Sequence, residues 1–235
     1  MLLSLGTMMG HGGGSSAGEV TSLVHWDDDI QDSVLAGSLW TKRNSMNIDT
    51  IQKKYGLRSI QGNSNSEWVF YNQGQGAAGT PLNMNGDFTA EIYVRFDSLA
   101  NGNPRGIFHY STSTAAGELF QLRTSSTDGT RLYCEIIDTG QTLAIDCTPS
   151  LTAATWHFIR LRKRGLYVEV ECDGVVVGTG TASQAFSVAT GNVFRIGTCR
   201  FNADQRSTFG WLDEFRFTTG GWVTGPVPTE AFPTP

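Results

Sequence analysis

The most regular feature of the chain is the alternation of apolar and polar residues in short segments. Between Phe88 and Phe96 every second residue is apolar, as in a strand with one face on a core and the other in water. Comparable runs are separated by turn-forming residues along the chain, at 67–71, 106–110, 119–123, 156–163, 193–197 and 209–217. We therefore predict an all-β, antiparallel two-sheet β-sandwich of about ten strands, with a helical turn only near 48–56.

Two tight turns predict hairpins. Asp173-Gly174 supplies the positive φ angles of a type I′ turn and pairs the segments on either side of it. Thr139-Gly140 predicts a second hairpin over residues 131–147. This hairpin puts Cys134 opposite Ile145 and diagonal to Cys147, a poor geometry for a disulfide. We expect all four cysteines to be reduced.

The two ends differ in composition from the centre. Residues 1–19 are rich in Gly and Met and include an apolar Leu2, Leu3 and Leu5, whereas residues 223–235 are rich in Pro. We predict a docking arm at 1–19, a sandwich over 20–222 and a tail at 223–235. The start has no basic segment followed by a sustained apolar one, so we expect no signal peptide.

The net charge of the chain limits the classes of partner that it is expected to bind. The chain has 17 Lys plus Arg and 22 Asp plus Glu, a net charge of −5. A mildly acidic chain lacks the overall basic field that gathers nucleic acid. No apolar stretch approaches the roughly 18 residues that a spanning helix needs. We expect neither nucleic-acid binding nor membrane insertion.

Five short motifs, in order, resemble the concanavalin A-like, laminin G-like jelly-roll superfamily. They are 87–95 (DFTAEIYVR), 156–158 (WHF), 167–178 (YVEVECDGVVVG), 195–197 (RIG) and 210–216 (GWLDEFR). The resemblance extends over about residues 20–222 and implies a jelly roll. The chain departs from the family pattern at Glu169, Glu171 and Cys172, where apolar residues and Tyr are common.

The superfamily includes lectins, laminin modules, glucanases and bacteriophage virion domains, so the fold leaves function open. Our first hypothesis is a non-enzymatic bacteriophage virion protein, either a capsid decoration or a tail or fibre component. It would be made in the host cytoplasm and would contact other virion proteins, or copies of itself, through its tails. It could also attach to a host-surface glycan. The alternatives are a lectin-type carbohydrate-binding module outside a virion and, more remotely, a glycoside hydrolase.

Calcium is the one cofactor that the residues suggest, because relatives often bind it and hard cations take several oxygen ligands. Asp27 belongs to a run of acidic residues after the first strand, and Asp213 shares strand parity with Trp211, Phe215 and Phe217. That parity directs Asp213 to the apolar side, where a carboxylate needs a partner. Backbone N–H groups, an arginine such as Arg195 and a calcium ion all stay open as partners.

Glycan binding would use an aromatic side chain flanked by amides. Trp68, Tyr71 and Asn72 offer this chemistry near one strand, with Trp222 and Tyr93 elsewhere, although a tryptophan such as Trp68 is more often a core or interface residue than a sugar platform. A glycosidase needs two carboxylates flanking the scissile bond. We interpret Glu169 and Glu171, just before the Asp-Gly turn, as solvated strand-face charges, and the basic run over 160–164 as a solvated face.

Overall fold

The computed structural model describes residues 18–27, 33–34, 40–44, 46–64, 67–71, 82–111, 119–138, 140–186, 193–201 and 204–233. Within these ranges the regular elements are all β-strands. They are β1 (Glu19–Val24), β2 (Trp40–Arg43), β3 (Asn47–Asp49), β4 (Ser59–Gly62), β5 (Trp68–Tyr71), β6 (Phe88–Phe96), β7 (Gly106–Ser111), β8 (Leu119–Thr124), β9 (Arg131–Asp138), β10 (Gln141–Pro149), β11 (Trp156–Arg164), β12 (Tyr167–Cys172), β13 (Val175–Thr181), β14 (Val193–Ile196), β15 (Thr198–Phe201), β16 (Asp204–Ser207) and β17 (Gly210–Thr219).

The strands form two large antiparallel sheets and one hairpin. The first sheet has the order β13-β12-β11-β6-β17-β4-β3, with β1 also paired to β17. The second has the order β10-β9-β8-β7-β14-β5-β2, and β15 with β16 makes a separate hairpin. The two-sheet antiparallel prediction is confirmed. The part of the chain that the structure describes contains no helix long and apolar enough to cross a membrane.

The core lies between the sheets and is built from the apolar positions of the alternating segments. Phe88 of β6 stacks on Phe217 of β17 with ring centres 5.2 Å apart, and its edge meets Phe120 of the second sheet at 5.7 Å. All three side chains are buried. Each aromatic burial of this size contributes about 2–3 kcal/mol. The alternation that predicts the strands therefore also supplies the contact between the sheets.

Both predicted hairpins are present. Asp173 and Gly174 have φ angles of 51° and 83°, and Cys172 pairs with Val175 across them. In the second hairpin Gly140 has a φ of 98°, and Cys134 pairs with Ile145 as the register predicted. The four cysteines are buried free thiols. Turn chemistry thus sets the register of both edges of the sandwich.

A β-bulge changes the predicted face of Asp213. The pairing of β17 with β6 shifts between Asp213 and Arg216, and Glu214 takes a φ of 50°. Leu212 and Phe215 therefore both face the core, although three positions apart in sequence. The prediction that Asp213 shares a face with Phe215 is wrong, because the bulge reverses the parity of the strand at that point. Asp213 is nevertheless buried, beneath segments on the outer side of the sheet.

The C-terminal segment, residues 221–233, crosses the outer face of the first sheet. Phe232 is buried against Leu23, Tyr93 and Phe158 in a second, smaller apolar cluster. The Tyr93 hydroxyl donates to the Pro228 carbonyl at 2.5 Å. The predicted Pro-rich tail at 223–235 thus packs, up to residue 233, on the sandwich of its own chain. The predicted arm at 1–19 falls outside the described residues up to residue 17.

Candidate functional site

Buried charges occupy the outer face of the first sheet. Arg160 of β11 donates to Glu91 of β6 at 3.0 Å and to Glu171 of β12 at 2.8 Å. Arg162 is ion-paired with Glu169 and with Glu171, and Glu91 also accepts from Arg216 at 2.6 Å. The interpretation of these positions as solvated is wrong: within the 160–164 run only Arg164 is exposed. The C-terminal segment lies over Arg160 and Arg162 and shields them from water.

The C-terminal segment also contributes hydrogen bonds to the network. Arg162 donates to the Val223 carbonyl at 2.9 Å, and Arg160 donates to the Gly225 carbonyl at 3.1 Å. Burying a charge is costly unless it is paired and its remaining donors are satisfied. Carboxylates on the neighbouring strands and carbonyls from the C-terminal segment together pair the Nη1 and Nη2 groups of Arg162 and the Nε and Nη1 groups of Arg160, whereas Arg162 Nε is buried without a hydrogen-bond partner among the residues described.

An aromatic platform forms where this segment begins. Trp222 lies beside Tyr167, the first residue of β12, with ring centres 5.8 Å apart and planes inclined by 36°. Tyr167 is 37% exposed and Trp222 is partly exposed. The Arg162 guanidinium packs on the Trp222 ring, 5.0 Å from its centre. Arg162 therefore holds the Trp222 ring in place, and both rings of the platform are partly accessible to solvent.

Polar groups border the platform. The Tyr167 hydroxyl donates to Glu169 at 3.3 Å. On the neighbouring strand, Thr181 pairs with Tyr167 and Thr179 pairs with Glu169, and both threonines are exposed. Paired residues of adjacent strands share a face, so the two threonines lie beside the platform. Apolar ring faces next to hydroxyl and carboxylate groups can stack on one face of a sugar and hydrogen-bond its hydroxyls.

The carboxylates proposed for calcium hold a loop. Asp213 accepts backbone N–H groups from Lys54 at 2.8 Å, Tyr55 at 3.1 Å and Glu214 at 2.9 Å. Burial raises the pKa of Asp213 to about 7, against the lowering effect of these N–H donors. Asp27 accepts from two further N–H groups of the same loop, those of Leu57 at 2.5 Å and Arg58 at 3.0 Å.

The surroundings of the Asp213 and Asp27 carboxylates are a poor fit to calcium. A calcium ion takes six to eight oxygen ligands, whereas N–H donors already point at both oxygens of Asp213 and at one oxygen of Asp27. Backbone capture, one of the three partners left open for Asp213, accounts for that carboxylate, and backbone N–H groups of the same loop also bind Asp27. Calcium binding at Asp213 and Asp27 stays a prediction.

The residues predicted for glycan binding do not form the platform, apart from Trp222. The backbone of β5, with Trp68 and Tyr71 at its ends, pairs with β2 and β14 in the second sheet. Their side chains and all of Asn72 lie outside the described parts of the chain. Tyr93 is buried under the C-terminal segment.

The hairpin end of β12 carries a separate polar cluster. His157 Nδ1 lies 2.7 Å from Asp173 Oδ2 and 3.9 Å from Cys172 Sγ. Its Nε2 is 2.9 Å from the Thr152 nitrogen and 3.1 Å from the Thr152 carbonyl oxygen. Because Cys172 and Asp173 approach the same imidazole nitrogen, the imidazole does not connect them as the base of a nucleophilic triad does.

Tyr167, Arg162 and Glu169 are the platform residues that sequence reasoning missed. The signal was available in the turn at 165–166, which pairs Arg162 with Glu169 and brings opposite charges face to face. The same alternation places Tyr167 on the face of Glu169. Proximity to Trp222 was not available, because nothing local fixes the path of the C-terminal segment.

The order and pairing of the strands define a jelly-roll sandwich of the lectin-like class. The family model described as the concanavalin A-like lectin/glucanases superfamily matches residues 70–220, more than half of the chain. The chain belongs to this superfamily, which confirms the resemblance drawn from its motifs. No curated protein sequence matches the chain.

Solved structures share the fold at low sequence identity. Domain 4 of AbnA, an extracellular arabinanase from Geobacillus stearothermophilus solved with arabinotriose, is 14% identical with a TM-score of 0.66, covering 88% of this chain and 96% of that one. The binding domain of botulinum neurotoxin serotype D is 12% identical with a TM-score of 0.60, and that of neurotoxin DC, solved with SialylT, is 9% identical with 0.63. They cover 87% and 88% of this chain, which spans 49% of each neurotoxin domain.

Proposed function

We propose that the protein is a non-enzymatic carbohydrate-recognition domain and that the Tyr167–Trp222 platform is its binding site. The observation that carries the proposal is the partly exposed aromatic pair, held by Arg162 and bordered by Glu169 and two threonine hydroxyls. Aromatic side chains have two rotatable bonds and present a rigid contact surface at low entropic cost. A sugar would stack on this surface and bond to the exposed hydroxyls of Thr179 and Thr181.

The relatives support this class of ligand. The AbnA domain was solved with an arabinose trisaccharide and the neurotoxin DC domain with SialylT. Each belongs to a larger protein with its own activity or receptor, so the similarity itself concerns the fold. The ligand proposed here rests on the platform of this chain.

The carboxylates near the platform support a binding role over hydrolysis. A glycosidase needs one carboxyl group to donate a proton and another to attack the sugar or activate water. Both oxygens of Glu171 contact arginines, one from Arg160 and one from Arg162, and Glu169 is held between Arg162 and Tyr167. These contacts engage the carboxylates with protein groups, which favours a structural role.

A glycan array with the full chain tests the proposal. We expect binding to a defined set of glycans that Tyr167→Ala or Trp222→Ala weakens about tenfold, since an aromatic contact worth about 1.4 kcal/mol corresponds to that factor. Tyr133→Ala is the matched control, because Tyr133 is a partly exposed tyrosine that packs on Arg123 in the second sheet. Equal binding by all three variants would refute the site, and the absence of any glycan binding would refute the function.

Display on a bacteriophage virion is the second candidate. It is favoured by the apolar, Gly-rich segment over 1–17, a composition without an evident role in a sandwich whose first strand begins at Glu19. In this proposal the segment attaches the domain to a capsid or tail and the platform faces outward. Deleting residues 2–17 should leave the far-ultraviolet circular dichroism unchanged and reduce incorporation into particles. Wild-type occupancy of the deletion variant would contradict it.

A further inference from the structure

Three metal-ligating groups meet at the tip of the β12–β13 hairpin. The imidazole Nδ1 of His157, the thiol of Cys172 and a carboxylate oxygen of Asp173 lie within 4.8 Å of one another, the only such group of three or more among the residues described. The Cys172 sulfur is 3.7 Å from Asp173 Oδ2, and the other two separations are 2.7 Å and 3.9 Å. Cys172 and His157 are buried, whereas half of the Asp173 side chain is exposed.

We propose that His157, Cys172 and Asp173 bind a zinc ion, with water as the fourth ligand. Tetrahedral zinc has bonds of about 2.3 Å to sulfur and about 2.0–2.2 Å to nitrogen and oxygen, so its ligand atoms lie about 3.3–3.6 Å apart. The three observed separations bracket this range, and side-chain rotations that move His157 Nδ1 and Asp173 Oδ2 apart by about 0.6 Å and draw Cys172 Sγ slightly closer would match it. One thiolate, one imidazole and one carboxylate form a ligand set that suits zinc better than calcium or magnesium.

The surroundings of His157 suit a metal ligand. Its Nε2 lies beside the Thr152 carbonyl at 3.1 Å. A ligating imidazole commonly donates its other N–H to a backbone carbonyl, which fixes the ring and raises its basicity. The Thr152 N–H is directed at Nε2 and Nδ1 lies 2.7 Å from Asp173 Oδ2, contacts that the tautomer with its proton on Nδ1 satisfies. On binding, the proton would move to Nε2 and donate to the Thr152 carbonyl, the Nδ1 lone pair would bind zinc, and the Thr152 N–H would lose Nε2 as its acceptor.

Cys172 gives the cluster its metal preference. Burial raises the pKa of the Cys172 thiol to about 12, so without metal the group is a protonated thiol near neutral pH. Zinc binding would form a zinc–sulfur bond and release the proton of this thiol to solvent. Metal affinity should therefore rise with pH. The half-exposed side chain of Asp173 provides the path of entry.

The site is separate from the proposed sugar platform. Tyr167 and Cys172 stand at opposite ends of β12. Zinc would tie β11, through His157, to the hairpin turn through Asp173. The proposal therefore predicts a stabilised hairpin and makes no demand on glycan binding.

Cobalt(II) titration of the reduced full chain tests the site, because a thiolate ligand gives cobalt an intense ultraviolet charge-transfer band. We expect one cobalt per chain, displacement by zinc, and release of one proton per metal at pH 7.5. Cys172→Val should abolish the band and weaken zinc binding by more than the about 10–100-fold caused by loss of a supporting contact alone. Cys199→Ala, at a buried cysteine distant from the hairpin, should retain the band.

A second variant protects the test against misfolding. His157→Gln keeps a polar side chain beside Thr152 and should remove metal binding while its circular dichroism stays that of the wild type. No charge-transfer band in the folded wild type, or a band that persists in Cys172→Val, would overturn the proposal.

Discussion

The two faces of the first sheet are both buried, but by different means. On the inner face Ile159 pairs with Ile92 and Cys172 and packs against the second sheet. One residue later, on the outer face, Arg160 pairs with Glu91 and Glu171 and packs beneath the C-terminal segment. Adjacent rows of the same three strands thus carry an apolar core and an ionic layer.

The residues that bury the inner face and those that bury the outer face therefore lie at different distances along the chain from the strands they cover. The inner face is buried by strands whose own alternation demands it. The outer face is buried because residues 221–233 and the loop around Tyr55 fold over it. Apolar burial stabilises in proportion to area, whereas a buried ion pair is near neutral overall but costly to break. The outer face should therefore be the more sensitive to loss of a single partner.

The largest effect is expected from removing the carboxylate at the centre of the ionic layer. Glu91 is 0% exposed and joins Arg160 to Arg216. Glu91→Ala leaves two guanidinium groups without this partner and should lower the free energy of unfolding by about 3–5 kcal/mol, as measured by urea denaturation. Arg164→Ala, on the exposed end of β11, is the control and should change it little. Similar losses in both variants would show that the layer is solvated.

The next effect concerns the anchor of the C-terminal segment. Phe232 is buried, its backbone N–H donates to Glu214 at 2.8 Å, and the Arg216 guanidinium lies 4.0 Å from its ring centre. Phe232→Ala should cost about 3 kcal/mol in the same assay. Pro233→Ala, at the exposed neighbouring position, should cost much less. If Phe232→Ala left stability unchanged, the segment would be a tail that adds nothing to the fold.

A smaller, pH-dependent effect should appear beside this anchor. His25 Nδ1 donates to Glu214 at 2.9 Å, and this bond raises the pKa of His25, with Asp27 and Asp213 adding to the shift and burial opposing it. A raised folded-state pKa stabilises the fold fully below the ordinary value near 6.5, and this stability is lost as the pH rises through the raised value. The melting temperature of the wild type should exceed that of His25→Gln most at about pH 5.5. A gap that grows toward pH 8.5 would contradict the ion pair.

The sequence predicted those features that depend on neighbouring residues. The strand at Phe88–Phe96, the turn at Asp173-Gly174 and the pairing of Cys134 with Ile145 follow from alternation and turn chemistry. The bulge at Asp213–Glu214 was missed because one extra residue reverses the parity of a strand without changing its composition. The ionic layer was missed because alternation gives the face of a side chain and cannot show what covers it.

The residues of the candidate site were likewise predictable only where they are close together in the sequence. Trp222 was recognised as glycan-binding chemistry, but its partner Tyr167 is 55 positions away, and only the path of the C-terminal segment brings them together. Arg162 and Glu169 could have been paired from the turn between their strands. The sequence therefore predicts pairing between neighbouring strands, and the structure adds the long-range contact of Trp222 in the C-terminal segment with Tyr167.

The most direct test of the central claim is to follow the indole N–H signals of the six tryptophans by nuclear magnetic resonance during titration with the glycan selected on the array. Single Trp→Phe variants assign each signal. The account predicts that the Trp222 signal shifts in a saturable way and that the Trp26 and Trp40 signals, from buried side chains, stay in place. Saturable shifts at Trp68 with none at Trp222 would move the site to β5 and contradict the platform.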